Sequence, residues 1–281
     1  MTDEQDLIMD AIDYQPALQR YMQDEGVFFS RHFCSVSLCC PSRISLLTGQ
    51  ATHNTNVAAL WLPGFVKSGL DERNLPVYLQ PTGYDTYYTG KLINTNSTNK
   101  YNVPYFAGWN GSDYPGTYIH YNCIAQRNRG LPVSNPGICS TDPIAFKALG
   151  FLKEAASSNA PFSLGITPTG SHGEIIPGGS GVGFYAPVPA ERHKQAKIPS
   201  TPFLILIQSQ ARLNETAVAY NDEFYRKRLQ VLQAFHDLVD NDFDWLHDHL
   251  DILKNTYVIY TSDNGIHLRK HCLPSTKDLQ H

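Results

Sequence analysis

The residues whose types and spacing say most about chemistry lie in Ser37-Leu38-Cys39-Cys40-Pro41-Ser42-Arg43-Ile44-Ser45-Leu46-Leu47-Thr48-Gly49. A short helix is expected from Ser42 to Leu47, directly after Pro41, whose fixed φ suits a first helical turn. A cysteine entering such a helix sits beside backbone N–H groups that have no intrahelical acceptor and near the positive end of the dipole. That setting suits an anionic nucleophile or an anionic substrate. Arg43 follows Cys39 by four residues, so its guanidinium lies about one turn along and can hold the same oxyanion. A second reading stays open on these residues alone: a helix start with a buried cysteine pair, behaving as small apolar side chains.

The elements that must position this stretch follow an alternating pattern. Tyr14 to Gly26 reads as a helix with apolar Leu18, Tyr21 and Met22 and a closing glycine. Asp142 to Ala156 reads as another, with Ile144, Ala145, Ala148, Leu149 and Leu152 on one face. Pro161 to Ile166 is a strand candidate, and Pro168 to Pro202, dense in Gly and Pro, reads as loop. From Ala217 to Leu253, the residues Tyr225, Leu229, Leu232, Phe235, Val239, Phe243, Leu246 and Leu250 recur at steps of three and four, which is an amphipathic helix. Thr256 to Thr261 has strand length and composition and runs into Ser262-Asp263-Asn264-Gly265. Helix followed by buried strand is the α/β pattern, in which chemistry collects beyond the carboxyl ends of strands.

Composition excludes several classes. The chain has 281 residues, 42% hydrophobic and 17% charged, which excludes disorder and coiled coil. Lys and Arg total 22 against 26 acids, with no basic run, so a nucleic-acid partner is not expected. The longest aliphatic run, Phe203 to Ile207, is far short of the roughly 20 residues that span a bilayer. Met1-Thr2-Asp3-Glu4-Gln5-Asp6 has no basic start followed by an apolar segment, so no signal peptide is read there. Six cysteines, Cys34, Cys39, Cys40, Cys123, Cys139 and Cys272, are too few for a disulfide scaffold. The sequons at Asn96, Asn110 and Asn214 are too common a pattern to fix a compartment.

Cys39-Cys40-Pro41-Ser42-Arg43, with Thr48-Gly49 beyond it, resembles the type I sulfatase signature, in which the first cysteine is oxidised to formylglycine. The blocks His53-Asn54-Thr55-Asn56-Val57, Gly83-Tyr84, Thr89-Gly90-Lys91-Leu92-Ile93-Asn94 and Tyr260-Thr261-Ser262-Asp263-Asn264-Gly265 follow in the family's order. They are most similar to fungal arylsulfatases and N-acetylglucosamine-6-sulfatases. The resemblance implies an α/β, alkaline-phosphatase/sulfatase-like fold, with a central mixed sheet flanked by helices. Residues 1–281 would be one catalytic domain, truncated at both ends. A buried strand should precede Asp3, and further chain with a C-terminal subdomain should follow Lys277.

The resemblance also implies a ligand set. The family binds a divalent cation, usually calcium, and carboxylate and amide oxygens are the donors calcium takes. Asp263 and Asn264 match one half of the cluster, and Asp3 and Glu4 the other, with Glu4 standing where aspartate is usual. Cys39, as formylglycine, completes it. The competing readings are a polar turn for Asp263-Asn264 and a solvated acidic terminus for Asp3 to Asp6. Catalytic roles are implied for Cys39, Arg43, Lys91, His172 and Lys277. Ser171 replaces the usual proline before His172, and Thr276 the usual glycine before Lys277. His193, His267 and His271 are candidates for substrate contacts.

The implied reaction is hydrolysis of a sulfate monoester, aryl or sugar. A hydroxyl of the formylglycine hydrate attacks sulfur, a lysine or histidine protonates the leaving oxygen, and collapse to the aldehyde releases sulfate. The implied partners are a small-molecule or glycan sulfate ester and a formylglycine-generating enzyme, and the implied location is secreted or endolysosomal. Two rivals are phosphate or phosphonate monoester hydrolysis, and an inactive sulfatase-like fragment.

Overall fold

The computed structural model describes residues 1–7, 9–57, 62–94, 106, 108–112, 116–128, 130–178, 181–200 and 214–266. Lys277, His267 and His271 lie outside the described residues. Five strands form the main sheet: β1 (Asp85–Gly90), β2 (Gly108–Ser112), β3 (Ile124–Arg127), β4 (Val133–Ser134) and β5 (Phe162–Thr167), in the order β4-β3-β2-β1-β5. β1 runs parallel to β2 and β5, while β2–β3 and β3–β4 are antiparallel, so the sheet is mixed as expected.

The layers follow from strand pleating. Successive side chains point to opposite faces. Tyr87 of β1 therefore packs with Phe151 and Ala155 of helix α2 (Thr141–Ser157), behind which lies α3 (Glu215–His247). Tyr88 packs on the other face with Cys40 and Ile44 of helix α1 (Cys39–Thr48), and with Phe65. α3 is held by the apolar stripe that its sequence predicts, and Phe235, Leu238, Val239 and Phe243 share a core with Ile144 and Tyr21. The Asn214 side chain caps α3 by accepting from the Ala217 N–H at 2.8 Å.

Several expected elements change. α1 begins at Cys39 rather than Ser42, which makes the cysteine its first residue. The helix expected over Tyr14 to Gly26 is broken into 3₁₀, α and π pieces between Ala11 and Gln23. The helix expected over Ala217 to Leu253 ends at His247 and resumes as a single turn, Leu250–Leu253. The Pro168 to Pro202 loop contains an antiparallel hairpin, β6 (Glu174–Gly178) and β7 (Gly181–Tyr185), whose alternation the turn residues masked. Thr256 to Thr261 is extended but unpaired in any strand ladder, because a strand needs a neighbour at about 4.8 Å and β5 faces it across a groove of about 800 Å³. Ile259 is accordingly 81% exposed. Just beyond the segment, Ser262 forms an isolated parallel bridge with Thr2.

Candidate active site

The site lies where β1 and β5 end. Gly90 closes β1 at φ 105°, and a Cβ there would meet the Thr167 carbonyl oxygen at 2.2 Å, so only glycine lets the two strand ends approach. Lys91 follows, its N–H donating to Thr167 O at 2.8 Å. The first residues of the chain are held against the same edge. The Met1 amino group donates to Ile166 O at 2.8 Å and the Thr2 N–H to Thr261 O at 2.9 Å. The Asp263 N–H returns a bond to Thr2 O at 3.2 Å. This two-sided pinning sets Asp3 beside Asp263.

Asp3 is the hub. Its carboxylate accepts from Lys91 Nζ at 2.5 Å and from the Cys39 thiol at 3.4 Å, and lies 3.6 Å from the Arg43 guanidinium. Arg43 also donates through Nε to Asp263 at 2.8 Å and through a terminal nitrogen to the Lys91 carbonyl. The Glu4 N–H donates to the second Asp263 oxygen at 3.0 Å. Glu4 holds φ 63° and Ser171 φ 78°, left-handed conformations that cost non-glycine residues energy and mark a region whose surroundings impose them. The Ser171 hydroxyl donates to the Asp3 carbonyl, the Ser42 hydroxyl to the Asp263 carbonyl, and Arg228 of α3 to the Glu4 carbonyl.

His172 completes the cluster. Its Nδ1 lies 2.6 Å from Gly173 O, and a carbonyl only accepts, so Nδ1 carries the proton. Nε2 then faces Glu4 Oε1 at 3.3 Å. A ring nitrogen of His172, an Asp3 oxygen and Cys39 Sγ lie within 4.8 Å of one another. The Tyr118 ring packs against both basic side chains, 4.7 Å from Lys91 Nζ and 4.6 Å from the His172 ring. His120 Nε2 donates to the His172 carbonyl at 3.0 Å, and burial pushes the His120 imidazole down to about 4, so it stays neutral.

Electrostatics tie these groups together. Burial works against charge on Arg43 and on Lys91, yet Asp263 and Asp3 on the first, and Asp3 on the second, outweigh it and leave both firmly cationic. Burial, followed by Asp3, pushes Asp263 up against the opposing pull of Arg43 and Lys91. Three carboxylates, Asp3, Glu4 and Asp263, share this buried space with the cations Arg43, Lys91 and Arg228. Asn264 beside them has its Nδ2 bonded to Gly265 O at 2.8 Å, while its buried Oδ1 has no hydrogen-bond partner among the described residues. Hard oxygen donors, three of them carboxylates, and a spare amide oxygen fit a calcium ion.

The structure thus joins Asp3, Glu4, Cys39, Arg43, Lys91, His172 and Asp263 by direct contacts, with Asn264 adjacent to Asp263. His193 is instead paired with Asp237 at 2.7 Å, in a surface network with Arg192. Sequence reading missed Ser42, Tyr118, His120, Ser171 and Arg228. Arg228 carried a signal, a charged residue next to Leu229 on an apolar helix face; Tyr118 and His120 carried none.

The sulfatase family model matches residues 3–281. An arylsulfatase of Volvox carteri is 34% identical over 305 residues, covering 96% of this chain and 46% of that protein. Human N-acetylglucosamine-6-sulfatase is 28% identical over 295 residues, covering 99% of this chain and 52% of the relative. An extracellular sulfatase of Drosophila melanogaster is 28% identical, covering 95% of this chain and 24% of its own. The chain therefore spans about half the length, or less, of these relatives. A protein solved with its substrate D-glucosamine-2-N,6-O-disulfate shares the fold at TM-score 0.72 and 17% identity, covering 96% of this chain and 65% of its own. On the family match across nearly its whole length, the chain belongs to the sulfatase family.

Proposed function

We propose that the protein hydrolyses sulfate monoesters, with Cys39 as the site of formylglycine formation and calcium held by Asp3, Glu4, Asp263 and Asn264. The observation that carries this reading is the convergence of the Cys39 thiol, Arg43, Lys91 and His172 on the Asp3 carboxylate in one buried cluster. A formylglycine hydrate at position 39 would supply an oxygen nucleophile, and calcium held by these oxygens would offset sulfate charge and lower the pKa of that hydroxyl.

The remaining work falls to the chain's own side chains. Lys91, fixed between Asp3 and the Tyr118 ring, presents a cation to sulfate oxygens. Arg43 orients position 39 and Asp263 together. His172, with Nδ1 committed to Gly173 O, carries a second proton on Nε2 to the leaving oxygen. Low local dielectric strengthens each of these interactions. Lys277 is proposed as a further sulfate contact.

The proposed substrates are aryl or glycan sulfate esters, and the modifying partner is a formylglycine-generating enzyme. The proposed location is secreted or endolysosomal, in keeping with the extracellular relative. Among the described residues no helix is long and apolar enough to cross a membrane. The test is sulfate release from 4-nitrophenyl sulfate, with 4-nitrophenyl phosphate as the rival substrate and Cys39→Ala as control. Calcium-dependent sulfate release that the substitution abolishes is expected, with formylglycine found at position 39 by mass spectrometry. Release equal in both proteins, or faster with the phosphate, overturns the reading.

A further inference from the structure

We propose that Cys123 and Cys139 form a disulfide that ties the β3–β4 hairpin to the start of α2. Both are buried, each 3% exposed, and both are thiols in the structure. They flank the hairpin from opposite sides: Cys123 immediately precedes β3, and Cys139 lies two residues before α2.

The backbone brings them to one level. Tyr121 and Cys139 form an antiparallel bridge, reinforced by the Ser140 N–H donating to His120 O at 2.7 Å. Cys123 follows Tyr121 by two residues across Asn122, whose φ of 59° turns the chain out of the extended conformation beside Cys139. Diagonal neighbours in a regular ladder lie about 7–8 Å apart at Cα, at the limit of disulfide reach. Here the ladder is not regular. The Asn135 N–H donates to Cys123 O at 3.0 Å, and a turn closed by Ile138 N–H to Asn135 O at 3.3 Å takes up the residues between that contact and Cys139. The Gly137 N–H is fixed to the Asn122 side chain at 2.7 Å, which holds the turn against the strand carrying Cys123.

The thiols interact electrostatically. Burial, and after it the Cys139 thiol, push Cys123 up to about 11. A pair in this state is a poor nucleophile and a poor metal ligand. Among the described residues the clustered metal-ligating side chains are Asp3, Cys39 and His172, so the pair belongs to no such group. Closure of 15 intervening residues, 139 − 123 − 1, restricts the unfolded chain considerably. It also fixes the segment bearing His120, whose imidazole holds the His172 carbonyl.

The chemistry is thiol–disulfide exchange during folding, before the pair is buried. The two thiols lose two protons and two electrons, and one Sγ–Sγ bond forms. The oxidant is a protein or glutathione disulfide, reduced to two thiols.

The test is made on the full chain, produced by export through an oxidising compartment. The protein is denatured without reductant in the presence of iodoacetamide and digested. The expected product is a Cys123–Cys139 linked peptide pair that separates on reduction, with both residues unalkylated beforehand. Full alkylation of both residues without reduction, or linkage of either to Cys34, Cys40 or Cys272, overturns the proposal. A Cys139→Ala variant should expose Cys123 to alkylation and melt at the temperature of reduced wild type. A variant melting like unreduced wild type also overturns it.

Discussion

At the scale of single residues, Tyr118 shows how much of this site depends on side chains that are not themselves charged. Its ring lies under 5 Å from both Lys91 Nζ and the His172 ring, so it attracts the ammonium and packs the imidazole. Replacing Tyr118 with Leu should lower kcat/KM for an aryl sulfate by about 5–30-fold, the equivalent of ~1–2 kcal/mol for a desolvated cation–π contact. Tyr118→Phe should retain most activity, since the ring face does the holding. Steady-state kinetics on both variants check this, and a Leu variant as active as wild type would refute the assigned role. The residues that sequence reading placed in the site are mostly the charged ones of contiguous motifs. Tyr118 and His120 sit in an unremarkable stretch, and their function comes from a fold that sets them against Lys91 and the His172 backbone.

At the scale of elements, the C-terminal edge of the sheet depends on one close approach. A Cβ at position 90 would collide with the Thr167 carbonyl, and φ 105° is unfavourable for any L side chain. Gly90→Ala should therefore destabilise the protein by about 2–4 kcal/mol and displace Lys91. Denaturant unfolding and the KM for substrate should both worsen, and an unchanged midpoint would show that the strand ends relax at no cost. The helices were more legible than the strands. α2 and α3 announce themselves by a period that their own residues complete. β1 to β4 have short or mixed patterns that acquire meaning only through the strands that pair with them. The segment from Thr256 to Thr261 makes the complementary point: its composition is that of a strand, yet without an adjacent partner it forms no ladder.

At the scale of the whole molecule, the groove between β5 and that segment carries Asp242 of α3, 8% exposed among Leu238, Val239 and Phe243. Burial alone pushes this carboxyl up to about 7. The native state therefore holds the proton more tightly than the unfolded chain. Its stabilising contribution is complete below about pH 4 and is lost as pH rises through about 7, by at most ~4 kcal/mol. Asp242→Asn should gain stability relative to wild type between pH 5 and pH 8, read as the change in the denaturation midpoint difference. A difference constant with pH would contradict this account. By itself, the sequence determined the reactive cysteine with its arginine, the family blocks, the acidic and amide ligands and the long amphipathic helix, because each is written in contiguous residues or one period. Only the tertiary structure decided that Asp3 lies against Lys91 and Arg43, that Tyr118 packs on Lys91 and His172, and which strands pair. Those facts depend on contacts between residues up to 88 apart in the chain, and no local pattern encodes such distances.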